Sequence, residues 1–302
     1  MSAADRLDPP LVAAIIEAQF PQCAPARVTY LGDGYDNTAF DVNGTWVFRF
    51  PKRVDVEQQL LVEMRILPAL SDHVPLPIPA FSFHGEPSPG FPRHFGGYPK
   101  LAGVPGSQAD PERVPFSVLA PILGRFLSRL HAFPVDEAAR RGVERQPIDP
   151  LVEAIRAEAL EDFERLNVVA PDAPLDAWLT YLKSGVPKAG SHSTAALVHN
   201  DLAAEHILVG EAARSVTGII DWSDIAVSDP ALDFAGMFHW GGQAFGEAVL
   251  SAYEGSIDDR LVSRARFIAA CRGVGDVTFG LETDRREYIA GGLRALRLCA
   301  GA

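Results

Sequence analysis

Cysteine is scarce in this 302-residue sequence, which contains only Cys23, Cys271 and Cys299. The three are odd in number, lie far apart and form no CxxC pair. This pattern excludes a disulfide framework and a zinc knuckle of the usual spacing. It favours a protein of the reducing cytoplasm.

Long apolar runs and a basic excess are also absent. The apolar run at 11–16 is too short to span a bilayer, and no basic leader precedes it. The 27 Lys and Arg residues against 39 Asp and Glu residues give a net charge of −12, which repels nucleic acid phosphates and favours cationic ligands. We therefore expect a monomer that binds neither membrane nor nucleic acid, although an acidic excess also serves solubility.

The first hundred residues predict a small antiparallel sheet with two helices. Asp8 and Pro9 begin a helix that runs to about Phe20. Three alternating apolar runs at 27–51, separated by Gly-Asp-Gly and Asn-Gly turns, predict a meander of three strands. Helical spacing follows at 55–70, and a proline-rich segment then leads to an edge strand in FGGYP.

A Gly/Pro-rich stretch ending near Gly106 marks a change of composition, so we divide the chain into an N-terminal lobe, 1–100, and a C-terminal lobe, 101–302. The second lobe is predicted to be mainly α-helical, with two short β runs, HILVG and VTGIIDW. Its helices are predicted at 115–132, 150–166, 174–184, 244–254, 258–273 and 284–299. With 19 basic and 28 acidic residues it is also the more acidic lobe, at −9 against −3 for the first hundred residues with their 8 and 11.

Two features of the first lobe suit an anionic ligand. Gly32 and Gly34 lie in a turn between strands, where backbone N–H groups can approach phosphate oxygens; a hairpin that needs positive φ is the alternative. Arg49 on the third strand faces inward, and Glu63 on the following helix could orient it toward phosphates; a structural ion pair is the alternative.

The second lobe carries its chemistry in LVHNDLAAEHILVG and GIIDWSDIAVSDPALDF. Asp221 ends a buried strand, a position that suits Mg²⁺, which favours one or two carboxylates plus substrate phosphates. Asp229 precedes a proline and is predicted to cap a helix. His199 and His206 match no zinc spacing, and we expect His199 to donate to a loop carbonyl.

Taken in order, these pieces resemble the aminoglycoside phosphotransferase family, whose two-lobed fold is that of protein kinases. The order is a Gly-rich hairpin, a basic strand residue, a helix glutamate, a hinge, an HxD loop and a strand ending in aspartate. The resemblance covers nearly the whole chain and is closest to the aminoglycoside 2″-phosphotransferases, with the macrolide 2′-phosphotransferases a near second. It implies an α+β fold with a small antiparallel-sheet N-lobe and a larger, mainly helical C-lobe.

Carried over to the second lobe, the resemblance gives three residues a role. Asp201 would orient the attacking hydroxyl and accept its proton. Asp221 would bind Mg²⁺, and His206 would serve a second magnesium or hold the loop. Most kinase-like proteins have asparagine at the position of His206, so this chain departs from the common pattern.

Carried over to the first lobe, the resemblance implies a site for ATP or GTP. Arg49, oriented by Glu63, would contact the α- and β-phosphates, although lysine is the usual residue and arginine offers a broader planar fork. The remaining contacts are the glycines over the phosphates and the hinge backbone at the purine: Gly32, Gly34, Tyr98, Lys100 and Leu101.

The function implied is transfer of the γ-phosphate of ATP or GTP to a hydroxyl of a cationic antibiotic, with the 2″-hydroxyl of an aminoglycoside favoured. Carboxylates near Asp276, Glu282 and Asp284 would bind the acceptor's ammonium groups. A macrolide would instead need an apolar cleft, for which Phe234, Phe238, Trp240 and Phe279 are candidates. A kinase-fold protein that binds nucleotide without catalysis and a metal-dependent hydrolase are the alternatives from other classes.

Overall fold

The computed structural model describes residues 7–110, 114–189 and 194–301, without the side chains of Asp33 and Ala212. The chain forms two compact units. The first unit comprises the chain up to Asp72 together with Pro77–Ala102, and the second comprises His73–Leu76 together with the chain from Gly103 onward.

The first unit is built on a five-stranded antiparallel sheet with the order β1-β2-β3-β5-β4. Asp8 caps the first helix as predicted, since its side chain accepts a hydrogen bond of 2.9 Å from the Leu11 N–H. The elements are α1 (Pro9–Gln19), β1 (Val28–Asp33), β2 (Asn37–Val42), β3 (Trp46–Pro51), α2 (Val54–Ser71), β4 (Phe83–Gly85) and β5 (Phe95–Pro99).

The predicted meander is confirmed, and the predicted edge strand is wrong. Strands β1, β2 and β3 pair consecutively, with Phe40 opposite Phe48. Strand β5 lies between β3 and β4 and is therefore internal. The prolines of the preceding segment concealed β4, which is only three residues long and takes the edge instead.

Aromatic side chains fill the core of the first unit. Phe50 and Phe95 stack with their ring centroids 4.6 Å apart, and Phe48 is fully buried beside them. Helix α2 contributes Leu60 and Leu67 to the interior, and Glu63 is buried on the same helix. Glu63 therefore lies on the same inward face of α2 as these leucines.

The second unit is mainly helical and contains two small sheets, ordered β6-β8-β9 and β10-β7. Its strands are β6 (Val104–Pro105), β7 (Ala196–Val198), β8 (Ile207–Val209), β9 (Val216–Ile219) and β10 (Ala226–Ser228). Its helices are α3 (Phe116–His131), α4 (Val135–Arg140), α5 (Ile148–Asp162), α6 (Leu166–Val169), α7 (Leu175–Lys183), α8 (Ala231–Ser251), α9 (Leu261–Thr283) and α10 (Arg286–Cys299).

Helix α8 begins 13 residues before the predicted start at 244. Its first part is buried and apolar on nearly every side, so it lacks the amphipathic period that identifies a surface helix. The backbone leaves the helical region at Gly242, where φ is 70°, and the predicted segment corresponds to the part after this kink. Helix α9 likewise continues ten residues past its predicted end at 273.

The described residues contain no helix that combines the length and the apolar character needed to cross a bilayer. All three cysteines are buried and in the free thiol form. Burial raises the pKa of the Cys271 thiol to about 12, which disfavours the reactive thiolate.

Candidate active site

The glycine-rich turn of the first unit joins β1 to β2. The Gly34 N–H donates to the Asn37 carbonyl at 3.0 Å, and Lys52 Nζ donates to the Gly34 carbonyl at 2.5 Å. Neither Gly32 nor Gly34 has positive φ, so the alternative that the hairpin itself demands such a conformation is wrong. A Cβ at Gly32 would meet no atom within 4 Å and would occupy open space.

Arg49 and Glu63 form a buried ion pair between β3 and α2. Arg49 Nη1 donates to Glu63 Oε2 at 2.7 Å, and their side chains are only 6% and 0% exposed. Two charges withdrawn from water in this way need each other, because an isolated buried charge is costly. The pair holds a planar guanidinium at a fixed position on the sheet.

The segment from Tyr98 to Leu101 leaves the end of β5. Tyr98 is buried and pairs with Val47, and its ring packs edge-on against Phe81. The Lys100 N–H donates to the Thr45 carbonyl at 2.8 Å, and Lys100 Nζ donates to Asp41 Oδ2 at 2.7 Å. The backbone N–H and the ammonium group of Lys100 thus each form a hydrogen bond inside the first unit.

In the second unit, the loop after β7 presents Asp201. Asn200 has a φ of 70°, a left-handed conformation that asparagine tolerates better than most residues. Its side chain donates to Gln146 Oε1 at 3.2 Å and to the Asp224 carbonyl at 3.1 Å. The side chain of Asp201 is 43% exposed, so a ligand can reach its carboxylate.

A buried carboxylate that the sequence reasoning gave no role fixes this loop. Asp233 on α8 accepts hydrogen bonds from the backbone N–H groups of His199, at 3.0 Å, and Asn200, at 2.8 Å. Its Oδ2 also lies 3.0 Å from His131 Nε2, and both side chains are almost completely buried. An aspartate within an otherwise apolar helix was the available signal, since a buried carboxylate needs partners. Arg272 adds a hydrogen bond to the Asn200 carbonyl.

His199 has the structural role predicted for it. Its Nε2 lies 3.0 Å from the Ile220 carbonyl, and the Asp201 N–H donates to its Nδ1 at 3.3 Å. These two bonds fix the tautomer in which Nε2 carries the proton. Burial lowers the pKa of His199 and keeps the ring neutral, although Asp233 opposes this effect.

His206 lies between two carboxylates. Its Nδ1 donates to the Asp201 carbonyl at 2.7 Å, while Nε2 lies 3.6 Å from Asp221 Oδ2. Burial alone would lower its pKa, but the charges of Asp201, Asp221 and Glu205 outweigh burial and raise the pKa of His206 to about 9. A protonated ring at this position interacts with both aspartates.

Asp221 follows β9 in a left-handed conformation, with φ 61°, and its side chain is 48% exposed. Ser223 Oγ donates to Asp221 Oδ1 at 3.2 Å. Within the described residues, no three His, Cys, Asp or Glu side chains cluster as a metal site by themselves. Exposed carboxylate oxygens on Asp201 and Asp221 still suit Mg²⁺, which commonly takes one or two protein carboxylates and completes its shell with phosphates and water.

Four residues near the loop that carries Asp201 interact electrostatically, and we call them the acidic cluster: Glu205, His239, Asp276 and Tyr288. His239 Nε2 lies 2.9 Å from Asp276 Oδ2. Burial raises the pKa of Glu205, and the negative charge of Asp276 raises it further. Burial and the charge of Glu205 also raise the pKa of Tyr288. Such crowded carboxyl groups favour a cation as their neighbour.

The aromatic residues proposed for an apolar cleft do not form one. Phe234 and Phe238 are completely buried, and Trp240 is 4% exposed. Trp240 packs edge-on against Phe116 at 5.5 Å between ring centroids, and Phe234 against Tyr253 at 5.1 Å. These side chains belong to the core around α8, and only the Phe279 ring lies outside it, against Tyr288.

Comparison with known proteins identifies a family that the chain matches and several similar proteins. The phosphotransferase enzyme family matches residues 27–266 of the chain. An uncharacterized protein of Bacillus subtilis (strain 168), YcbJ, is 26% identical over 271 residues, which cover 85% of this chain and 84% of that protein. The viomycin phosphotransferase of Streptomyces vinaceus is 27% identical over 169 residues, covering 46% of this chain and 56% of that enzyme.

Among solved structures, the GDP and kanamycin complex of APH(2″)-IIIa superimposes with a TM-score of 0.70. It is 27% identical in sequence, and the match covers 95% of this chain and 97% of that chain. The match confirms the expected α+β fold of a small antiparallel sheet and a larger helical part.

Proposed function

This chain belongs to the phosphotransferase enzyme family, and from that membership we propose that it transfers the γ-phosphate of ATP or GTP to a hydroxyl of an aminoglycoside. The 2″-hydroxyl is the favoured acceptor position. The observation that carries the proposal is the exposed carboxylate of Asp201 on a loop fixed from behind by Asp233.

Asp201 acts as the residue that orients the acceptor hydroxyl and takes its proton. The hydroxyl oxygen forms a bond to the γ-phosphorus as the bond to the β–γ bridging oxygen breaks, and the proton passes to an Asp201 carboxylate oxygen. Most of the rate gain in such a reaction comes from positioning and electrostatics. A loop anchored by two hydrogen bonds to a buried aspartate provides that positioning.

Asp221 is the principal Mg²⁺ ligand in this proposal, because its side chain is 48% exposed at the end of β9. When bound, the ion would neutralise charge on the phosphates. His206 holds the loop instead of ligating a metal. We choose the loop-holding role because Nδ1 of His206 donates to the Asp201 carbonyl and because imidazole is a poor match for hard Mg²⁺ compared with oxygen.

The nucleotide site proposed for the first unit uses the ion-paired Arg49 at the α- and β-phosphates. The open space at Gly32, together with Gly34, suits the close approach of a phosphate to the turn. The purine would meet backbone groups of Tyr98 and Leu101. The Lys100 N–H already donates within the sheet, so Lys100 is the weakest member of this set.

The acidic cluster supports a cationic acceptor. Glu205 immediately precedes His206 in the sequence, so an ammonium group bound at this cluster would lie close to the loop that carries Asp201. A macrolide carries one amine and would need an apolar surface, but three of the four aromatic residues considered for that surface are buried in the core. The cluster therefore favours an acceptor with several ammonium groups.

The test is incubation of the purified protein with Mg²⁺, ATP or GTP, and separate panels of aminoglycosides and macrolides. Mass spectrometry would detect a phosphorylated aminoglycoside, and NMR would locate the modified hydroxyl. In Glu205→Gln, the KM for the aminoglycoside should rise by about tenfold or more while the KM for the nucleotide stays unchanged. Phosphorylation of macrolides alone would overturn the acceptor assignment.

A further inference from the structure

A cavity in the second unit lies apart from every residue assigned above. It has a volume of about 300 Å³ and is lined by His73, Val74, Pro75, Arg125, Arg129 and Glu254. Two arginines one helical turn apart on α3 form one wall, and the short segment His73–Pro75 forms another. Residues four apart share one face of a helix, so both guanidinium groups reach the same cavity.

The two arginines lack carboxylate partners. Within the described part of the chain, neither Arg125 nor Arg129 forms an ion pair, even though Glu254 lines the same cavity. Arg129 is held only through its Nε, which donates to the His73 carbonyl at 3.3 Å. Both arginines are exposed, so they form a local positive patch that a ligand can reach in a protein with a net charge of −12.

The wall formed by His73, Val74 and Pro75 provides a further polar group and an apolar surface. The His73 ring packs edge-on against Phe133 at 5.4 Å between centroids, and His73 Nε2 is shielded from solvent without a hydrogen-bond partner in the described structure. Val74 and Pro75 offer apolar contact beside it. With two arginines and one glutamate, the cavity carries a net charge of about +1, which suits a singly charged anion.

We propose that this cavity is a binding site for a small oxyanion, a phosphate or carboxylate group held by Arg125 and Arg129. Planar guanidinium groups bind such oxyanions through paired N–H···O hydrogen bonds. Val74 and Pro75 would contact the apolar part of a ligand that bears the group. Glu254 limits the affinity, because its carboxylate repels the same anion.

The experiment titrates the full-length protein with inorganic phosphate, and in parallel with acetate, at constant low ionic strength. NMR of the arginine Nε–H groups reports binding at the cavity. A parallel series contains saturating ADP and Mg²⁺, so that phosphate bound at the proposed nucleotide site is distinguished from phosphate bound here. We expect the Arg125 and Arg129 signals to shift in both series, and the acetate arm tells whether carboxylates are accepted as well.

Three variants make the result decisive. Arg125→Ala removes the side chain of an exposed residue, and it should weaken phosphate binding by about tenfold. Glu254→Gln should strengthen phosphate binding about threefold, because it removes a negative charge that repels the anion. Arg140→Ala, an exposed arginine on α4, should bind as the wild type does. Unshifted arginine signals, or equal affinity in wild type and Arg125→Ala, would overturn the proposal whether or not the protein is an active phosphotransferase.

Discussion

The two units present their candidate residues in opposite ways. In the first unit, the charged pair Arg49 and Glu63 is itself buried, with side-chain exposures of 6% and 0%. In the second unit, Asp201 and Asp221 are 43% and 48% exposed. The loop that carries Asp201 is held by the buried Asp233, which accepts hydrogen bonds from the N–H groups of His199 and Asn200.

The two units thus place a charged group at a defined point in two different ways. A buried ion pair fixes a guanidinium directly, because neither partner can leave the other without a large desolvation cost. An exposed carboxylate lacks that restraint and depends on the backbone that carries it. Substitutions in the two units should therefore fail in different ways.

The largest effect is expected for Asp201→Asn. The amide cannot accept the hydroxyl proton, so kcat should fall by about 10²–10⁴-fold. Because the residue is exposed and its neighbours hold the loop, the dissociation constant of the nucleotide and the midpoint of thermal unfolding should change little. Steady-state kinetics with nucleotide-binding titrations check this, and unchanged turnover would remove Asp201 from the reaction.

Asp233→Asn tests whether Asp233 anchors the loop that carries Asp201. It replaces a charged acceptor of two backbone N–H groups, so the free energy of unfolding should fall by about 2–3 kcal/mol. Since Asp233 acts through the loop, kcat should fall while the KM for the nucleotide stays unchanged. Urea unfolding and kinetics measure both, with the exposed Asp172→Asn as the matched control. A variant as stable and as active as the control would contradict the anchoring role.

Arg49→Lys tests the first unit. Lysine keeps the charge but loses the planar fork, so the KM for the nucleotide should rise by about tenfold with a smaller change in kcat. Arg53→Lys, in which the parent side chain is 41% exposed and pairs with Asp36, is the control and should behave as wild type. If both variants kept the wild-type KM, Arg49 would be a structural ion pair alone.

The smallest effect is expected for Gly32→Ala. The fold has room for the methyl group and needs no positive φ at this position, so the free energy of unfolding should change by less than about 1 kcal/mol. The KM for the nucleotide should rise about threefold, because the methyl group would obstruct a phosphate at the turn. Gly44→Ala is the counterpart, because Gly44 has a φ of 69° and its substitution should destabilise the protein without affecting KM. The reverse pattern would show that Gly32 serves the hairpin and not a ligand.

The sequence predicted those elements whose signals are local. The β1–β3 meander followed from alternation and turn residues, and the Asp8 cap followed from residue type. Helix α8 was placed too late because its buried first part has no amphipathic period, and β4 was missed because prolines surround a strand of three residues. Long-range packing decides such segments.

In the candidate site, too, local contacts could be predicted and long-range contacts could not. A hydrogen bond from His199 to a loop carbonyl was predicted, although the sequence did not identify Ile220 as the acceptor. The bonds from Asp233 to residues more than thirty positions earlier could not, since spacing along the chain gives no signal for them. The burial of Phe234 and Phe238 could not be predicted either, because aromatic residues occur both in cores and in clefts.

The most direct measurement follows the γ-phosphate of labelled ATP or GTP during incubation with the protein, Mg²⁺ and an aminoglycoside. We predict that the label appears on the antibiotic in equal amount to the nucleoside diphosphate formed, and that no modified antibiotic appears without nucleotide. Label found only in inorganic phosphate, or an antibiotic altered in the absence of nucleotide, would contradict phosphoryl transfer to this acceptor.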